Sequence, residues 1–459
     1  MSYGKDARWL RLGPANALRA SLAFCFFISP WLNACSGASS TFDPDGRGPC
    51  TDDGCAGGTG GSGGETTDCE LPPCDASGGD SAAGGEGGAA PGQGGNDAAG
   101  GNAASGNAAG GNAAGGSTAG GAGGSADVPD GPLTPVSRTD TVQGDSDDPA
   151  IWIHPTDPSL SLILGTDKDG LLFVFDLEGN IVDSVTDTGW ERLNNVDVEY
   201  GLMLDGEPTD IAVMTDRDAG MLRVVTLPDL EIADGGGVPA FDGTGQEDPM
   251  GIGLYKRPSD GAIFAIVSRK EGPDGAYLWQ YLLEDDGAGN VAFTKVREFG
   301  AFSGIAANGL GEIEAVAVDD ELGYVYYSDE VFGILKYHAD PDAAGANSAL
   351  ATFGTSGFDR DREGISIYTL EDGRGYILVS DQQSDEFRVF PREGTEADEH
   401  DHPFITALRL STLESDGSEV TSVTLNDDFE SGLFVAMSND RTFQYYAWDD
   451  LAGDVLERR

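Results

Sequence analysis

Six polar residues close six similar segments of this chain, and their types differ by position. Three are cationic, Lys168, Arg217 and Lys270, and three are anionic or amide, Glu330, Gln382 and Asp440. A second set opens an apolar run in the same units: Asp147 and Asp148, Asn195 and Asp197, Glu314, Asp361 and Glu363, and Asp416. If one unit repeats, both sets gather at one end of it. Cations beside an arc of carboxylates suit an anionic ligand bridged to protein through calcium ions, since calcium takes roughly six to eight oxygen ligands and Lys and Arg make charge-assisted bonds to anions. Taken singly, each residue also fits a solvated turn, where Asp and Asn are favoured. Segregation by sign across the copies is what points to a site.

The elements that must position these residues form a repeat. The hairpins are Ser161–Asp176, Asp210–Val225, Ala262–Tyr281, Gly323–Tyr337, Gly375–Phe390 and Gly432–Tyr446. Each pairs a β-branched and aromatic run with a turn and a second such run. A further apolar strand precedes each one: Pro149–Ile153, Val196–Tyr200, Gly251–Tyr255, Ile313–Val318, Gly364–Tyr368 and Val420–Thr424. A period of about 54 residues leaves room for a fourth, outer strand per unit, the signature of a β-propeller rather than a sandwich. The expected fold is all-β, a six-bladed β-propeller over residues 136–459. In a propeller the inner strand begins, and the second strand ends, at one rim of the central channel.

Of 459 residues, 26 are Lys or Arg and 79 are Asp or Glu, a formal net charge of −53. Such a chain lacks the electrostatic footprint for nucleic acid or anionic lipid. Residues 1–35 read as a signal peptide: Lys5, Arg8, Arg11 and Arg19 precede the apolar run Ala20–Trp31, too short to span a bilayer. The run ends in Leu32-Asn33-Ala34-Cys35, similar to a bacterial lipobox. The expectation is an exported chain, a cell-surface or outer-membrane lipoprotein attached through lipid on Cys35, with secretion after ordinary signal cleavage as the alternative. Residues 36–135 are a Gly/Ala/Asn-rich linker without the large apolar residues that offset ordering entropy, and should stay disordered. As a coil it would span roughly 50–60 Å r.m.s. and act as a tether. Its Cys50, Cys55, Cys69 and Cys74 suggest disulfides, paired locally or crossed, over a zinc site.

Several blocks together resemble β-propeller phytases, the calcium-dependent 3-phytase family. They are Asp145-Ser-Asp-Asp-Pro-Ala-Ile-Trp-Ile-His-Pro155, Gly165-Thr-Asp-Lys168, Leu193-Asn-Asn-Val-Asp197, Gly253-Leu-Tyr255 and Lys270-Glu271-Gly272. Later blocks agree in order: Glu314 before Asp319-Asp320-Glu321, Glu363-Gly364, Ser380-Asp-Gln382, Asp416-Gly417 and Gly432-Leu-Phe-Val-Ala436. The resemblance implies a phosphatase that releases phosphate from myo-inositol hexakisphosphate (phytate), as its calcium complex, by a metal-activated water. It further implies that Lys168, Arg217 and Lys270 hold substrate phosphates with Tyr255 alongside. Asp148, Glu314, Glu330, Asp361, Glu363, Gln382 and Asp416 would line a cluster of several calcium ions. Glu314, Glu363, Asp361, Lys168 and Arg217 would carry the hydrolysis, with two adjacent phosphate subsites and a monomer as the working unit.

The chain departs from that family's pattern at Asp169 and Glu199, where cations are usual, and at Met437-Ser438, where a Gln-Asp pair is typical. These changes remove positive charge and some oxygen ligands. No Cys lies in the propeller and no Arg-His-Gly stretch suggests a phosphohistidine enzyme. His154 reads as structural, and His400 and His402 as a solvated loop rather than a transition-metal site. Two other functions compete: a surface propeller that binds a sugar, peptide or anionic ligand without turnover, and a calcium-dependent propeller hydrolase of lactones or smaller phosphoesters. The cationic triplet favours the phosphate reading over the lactone one.

Overall fold

The computed structural model describes residues 131–304 and 312–459. The signal peptide, Cys35, the four linker cysteines and most of the linker lie outside the described residues. After β1 (Ser137–Arg138), blade one comprises β2 (Ser146–Trp152), β3 (Leu162–Asp167), β4 (Leu171–Phe175) and β5 (Ile181–Val185). Blade two is β6 (Leu193–Leu204), β7 (Glu207–Asp216), β8 (Met221–Leu227) and β9 (Val238–Pro239). Blade three is β10 (Pro249–Lys256), β11 (Ile263–Arg269), β12 (Leu278–Asp285) and β13 (Val291–Phe299). Blade four is β14 (Val316–Asp319), β15 (Tyr324–Asp329), β16 (Gly333–His338) and β17 (Ala351–Phe353). Blade five is β18 (Arg362–Thr369), β19 (Gly375–Asp381), β20 (Glu386–Pro391) and β21 (Thr406–Arg409). Blade six has β22 (Ser418–Thr421), β23 (Leu433–Ser438) and β24 (Thr442–Ala447), and its outer strand is β1 from the start of the domain.

The six-bladed propeller expected from the repeat is therefore present, all antiparallel within each blade and, in blades one to five, ordered inner to outer along the chain. Ring closure is the feature the repeat did not reveal: Ser137 pairs with Tyr445 and Arg138 with Gln444. Hydrogen bonding reaches back to Leu133, whose N–H donates to the Arg409 carbonyl.

The core explains why the middle strands read as unbroken apolar runs. Six hydrophobic clusters each fill the space between two neighbouring blades, so a middle strand is covered on both faces. Ile163 and Leu164, adjacent in β3, belong to different clusters, one toward blade six and one toward blade two. Outer strands show mixed exposure; β5 is mostly exposed.

Two local devices aim the rim. The inner strands β2, β6, β10 and β18 each shift register against their neighbour near their start, between Ser146 and Pro149, Leu193 and Val196, Pro249 and Ile252, and Arg362 and Ile365. Such a bulge bends the strand and turns consecutive side chains to new directions. The second device is the close of the second strand in blades one to five. Its Ser or Thr hydroxyl donates to a carbonyl at the start of the next blade: Thr166 to Asn194 (2.5 Å), Thr215 to Met250 (2.5 Å), Ser268 to Ile313 (2.6 Å), Ser328 to Arg362, and Ser380 to Ser415 (2.8 Å). In blades one, two, four and five the following Asp accepts backbone N–H groups from the loop entering its own blade. Asp167 takes Gly144 (2.8 Å), Asp216 takes Arg192 (3.0 Å), Asp329 takes Ser303 (2.7 Å) and Asp381 takes Asp359 (3.0 Å). The next residue is left to face the rim.

Candidate active site

Those outward residues meet the inner-strand acids. Lys168 Nζ lies 2.9 Å from Asp147, 3.1 Å from Asp416 and 3.3 Å from Asp145. Burial disfavours its charge, but Asp147 and Asp416 outweigh that and hold the ammonium protonated. Lys270 Nζ is 2.7 Å from Glu312 Oε1, and Arg217 Nη2 is 3.9 Å from Glu312 Oε2. Asn194 Nδ2 donates to Glu314 (2.6 Å), and Gln382 Nε2 donates to Asp416 (2.7 Å). Asp361 accepts from Gln383 Nε2 (2.9 Å) and pairs with Arg360 (2.8 Å).

The carboxylates crowd one another. Glu312, Glu314 and Glu330 each offer an oxygen within 4.8 Å of the others. Burial pushes the Glu330 carboxyl up to about 9, and Glu314, Glu312 and Asp361 add to the shift. Burial likewise raises Glu363 well above the usual range, reinforced by Glu330, Glu314, Asp416 and Asp361. Glu314 is raised for the same reason, chiefly by burial and next by Asp416. Glu363 Oε2 is buried with no hydrogen-bond partner. Like charges held this close, with a partnerless buried oxygen, leave a deficit of positive charge. An oxygen-only donor set with no His or Cys fits a hard divalent cation such as calcium far better than zinc.

Not every residue expected at the site lies in this cluster. Asp148 is turned down the central channel by the β2 bulge: it accepts from Val196 N–H (3.2 Å) and lines a cavity of about 110 Å³ with Asn195, Asp197 and Glu419. Tyr255 sits at the opposite end of blade three from Lys270. It pairs across the ladder with Phe264, whereas Pro249 pairs with Arg269 at the rim. Asp440 lies in a turn, where Thr442 Oγ1 donates to it (2.6 Å) and Arg138 approaches to 3.4 Å. Two residues that the resemblance left out join the cluster, Asp147 and Glu312. The signal for Glu312 was its spacing of two from Glu314, which in an extended segment puts both side chains on one face.

The departures also have places. Glu199 is buried midway along β6, where it hydrogen-bonds Asp320 and is pushed up to about 7 by burial. Asp169 donates its N–H to Asp167 (2.8 Å), and Ser438 accepts from Leu413 N–H (3.2 Å). His154 Nδ1 accepts from Asp157 N–H (3.0 Å), a structural role. His402 is not solvated: it is 3% exposed, donates Nδ1–H to the Pro391 carbonyl (2.7 Å), and faces the Lys336 ammonium at 3.2 Å. Aromatic packing on Phe353, at 4.7 Å between centroids, draws it inward.

A family model described as phytase matches residues 124–447, which spans all six blades and this rim. The chain belongs to the phytase family. It is 28% identical over 352 residues to the 3-phytase of Bacillus subtilis (strain 168), an alignment covering 71% of this chain and 86% of that relative. In this phytase-family chain the matched region carries both arms of the charge arrangement, the cations of blades one to three and the acids of blades four to six.

Proposed function

We propose that the rim hydrolyses phosphate monoesters of phytate in a calcium-dependent reaction. The observation that carries this reading is the convergence of Lys168, Arg217 and Lys270 with Glu312, Glu314, Glu330, Glu363 and Asp416 at one rim, where the acids outnumber the cations. Family membership supplies the substrate class.

Glu314, Glu330, Glu363, Asp361 and Asp416, with the Gln382 carbonyl, would hold the metal. Bound calcium would supply positive charge to a phosphoryl group and acidify water. The chain's own groups do the rest. Lys168, Arg217 and Lys270 come from three successive blades, so they can grip phosphates on different ring positions and fix the inositol against the acids. Arg217 offers a fork suited to two phosphate oxygens, while Lys168 and Lys270 act as point charges. Asn194 and Gln382 orient Glu314 and Asp416 through the bonds already described. No Ser, Thr or Cys nucleophile is needed in this scheme, which matches a rim built from carboxylates and cations.

Phosphate release from phytate by the purified chain, with calcium and with EGTA, tests the proposal. Release that requires calcium is the expected result. No release in saturating calcium would leave a propeller that binds anions without turnover, and release that survives EGTA would remove the metal from the chemistry. For the start of the chain we propose export and lipid attachment at Cys35; labelled fatty acid should be incorporated by the wild type and not by Cys35→Ser.

A further inference from the structure

Glu312, two residues before Glu314, stands between the cations and the acids of the rim. One of its oxygens is 2.7 Å from Lys270 Nζ and the other is 3.9 Å from Arg217 Nη2, so a single carboxylate faces two of the three cations meant for substrate phosphate. The same residue offers an oxygen within 4.8 Å of Glu314 and Glu330. Its main-chain carbonyl accepts the Glu330 N–H (3.3 Å), which fixes its backbone against that second acid. Its side chain is largely buried, at 13% exposure, so the pairs are only partly screened.

A carboxylate so placed has two competing attractions. Without metal, Lys270 and Arg217 neutralise it, and it stands where a phosphate oxygen would otherwise stand. A divalent cation held by Glu314 and Glu330 adds charge on the other side and draws the same oxygens toward itself. Both cations then lose their internal partner and are open to an anion. We propose that Glu312 couples the two binding events: it masks Arg217 and Lys270 in the metal-free protein and becomes a metal ligand with Glu314 and Glu330 when the cation binds. This inference rests on the proposed function for the identity of the metal and the class of anion. The coupling is reciprocal, so phosphate-bearing ligand must tighten calcium binding by the same factor.

The test uses the full chain and myo-inositol hexasulfate, a polyanion that resists phosphatase chemistry, so binding is read independently of turnover. Calorimetric titrations compare wild type, Glu312→Gln and Glu330→Gln, each in EGTA and in calcium, with Glu178→Gln at an exposed turn as a charge control. In EGTA, Glu312→Gln should bind hexasulfate about 10-fold more tightly than wild type, within the usual range of coupling energies. Glu330→Gln, which alters the neighbouring acid of the cluster without touching either cation, should gain no more than about 2-fold. Both variants should bind calcium at least several-fold more weakly than wild type. Glu312→Asp keeps the charge but draws it back from both cations, and should shift hexasulfate binding in the same direction by less.

An equal gain for Glu312→Gln and Glu330→Gln would overturn the masking, since loss of any acid from the cluster would then explain it. Unchanged calcium affinity in Glu312→Gln would overturn the ligand role. If phytate is not hydrolysed yet these binding shifts appear, the coupling stands and the enzymatic reading fails. Hydrolysis without the shifts would overturn the coupling and leave the enzymatic reading standing.

Discussion

Glu363 and the acids crowded around it at the rim repel one another, and single substitutions should expose that. Glu363 Oε2 has no partner while its carboxyl faces four others. Glu363→Gln removes one charge and one oxygen ligand, and should lower kcat by roughly 100-fold or more in saturating calcium, as loss of a transition-state charge stabiliser does. Phosphate-release kinetics check it. Lys168 behaves differently, because Asp147 and Asp416 depend on it before any metal arrives. Lys168→Ala should destabilise the metal-free protein by about 2 kcal/mol, the cost of leaving buried acids unpaired. Calcium should restore part of that loss while KM for phytate stays raised; thermal unfolding with and without EGTA separates the two. Lys168, Arg217, Lys270, Glu314 and Glu363 were legible from their places in the repeat. Asp147 was legible as a member of a pair, but which of Asp147 and Asp148 turns to the cluster depends on a bulge that leaves no mark in composition. Tyr255 was a matter of reach: it belongs to the inner strand of blade three, yet to the wrong end of it.

At the level of the strand, the blades touch through residues with little or no side chain. A Cβ at Gly251 would lie 1.7 Å from the Glu314 carbonyl oxygen, closer than any backbone pair allows. Gly251→Ala must therefore push blade three from the Glu314 segment. The expected outcome is a loss of about 1–3 kcal/mol, typical of overpacking, together with a weaker calcium affinity than that drop in stability accounts for. Calcium titration of the folded variant reads the second effect. The hydroxyl stitches offer a milder perturbation. Thr215→Val keeps the shape but loses the bonds to the Met250 carbonyl and the Asn195 N–H, and should cost about 1–2 kcal/mol. Hairpins were easy to find because burial on both faces makes a middle strand continuously apolar. The meaning of the Ser/Thr-Asp pair that ends them was hidden, since one residue reaches forward to the next blade and the other back into its own.

For the domain as a whole, the channel and rim acids set a pH dependence. Burial pushes Asp197 and Glu199 up to about 7, Asp320 and Glu419 to about 8, and Glu330 to about 9. An unfolded carboxyl titrates near about 4, so between that value and 7–9 the folded state binds more protons than the unfolded one. The resulting stability is complete below about pH 4 and is lost as pH rises through the folded values. The melting temperature in EGTA should therefore fall from pH 5 to pH 9, and fall less in calcium, because metal favours the ionised rim acids. A flat profile in EGTA would show that these carboxyls are not held protonated. The count of blades was readable at this scale, whereas the outer strand of the last one was not: two residues, Ser137 and Arg138, carry no apolar pattern to betray it.

That outer strand also imposes an order of events on synthesis. Thr139, just after β1, accepts the Phe443 N–H through its hydroxyl across 304 residues of sequence. A ribosome that has released five blades still holds a chain whose ring cannot shut, and the first strand waits with its edge unpaired until the last hairpin emerges. Nascent intermediates of this protein should bind holdase chaperones until the final few dozen residues are made, and a stop codon near the C-terminus should yield an aggregating product rather than a smaller propeller.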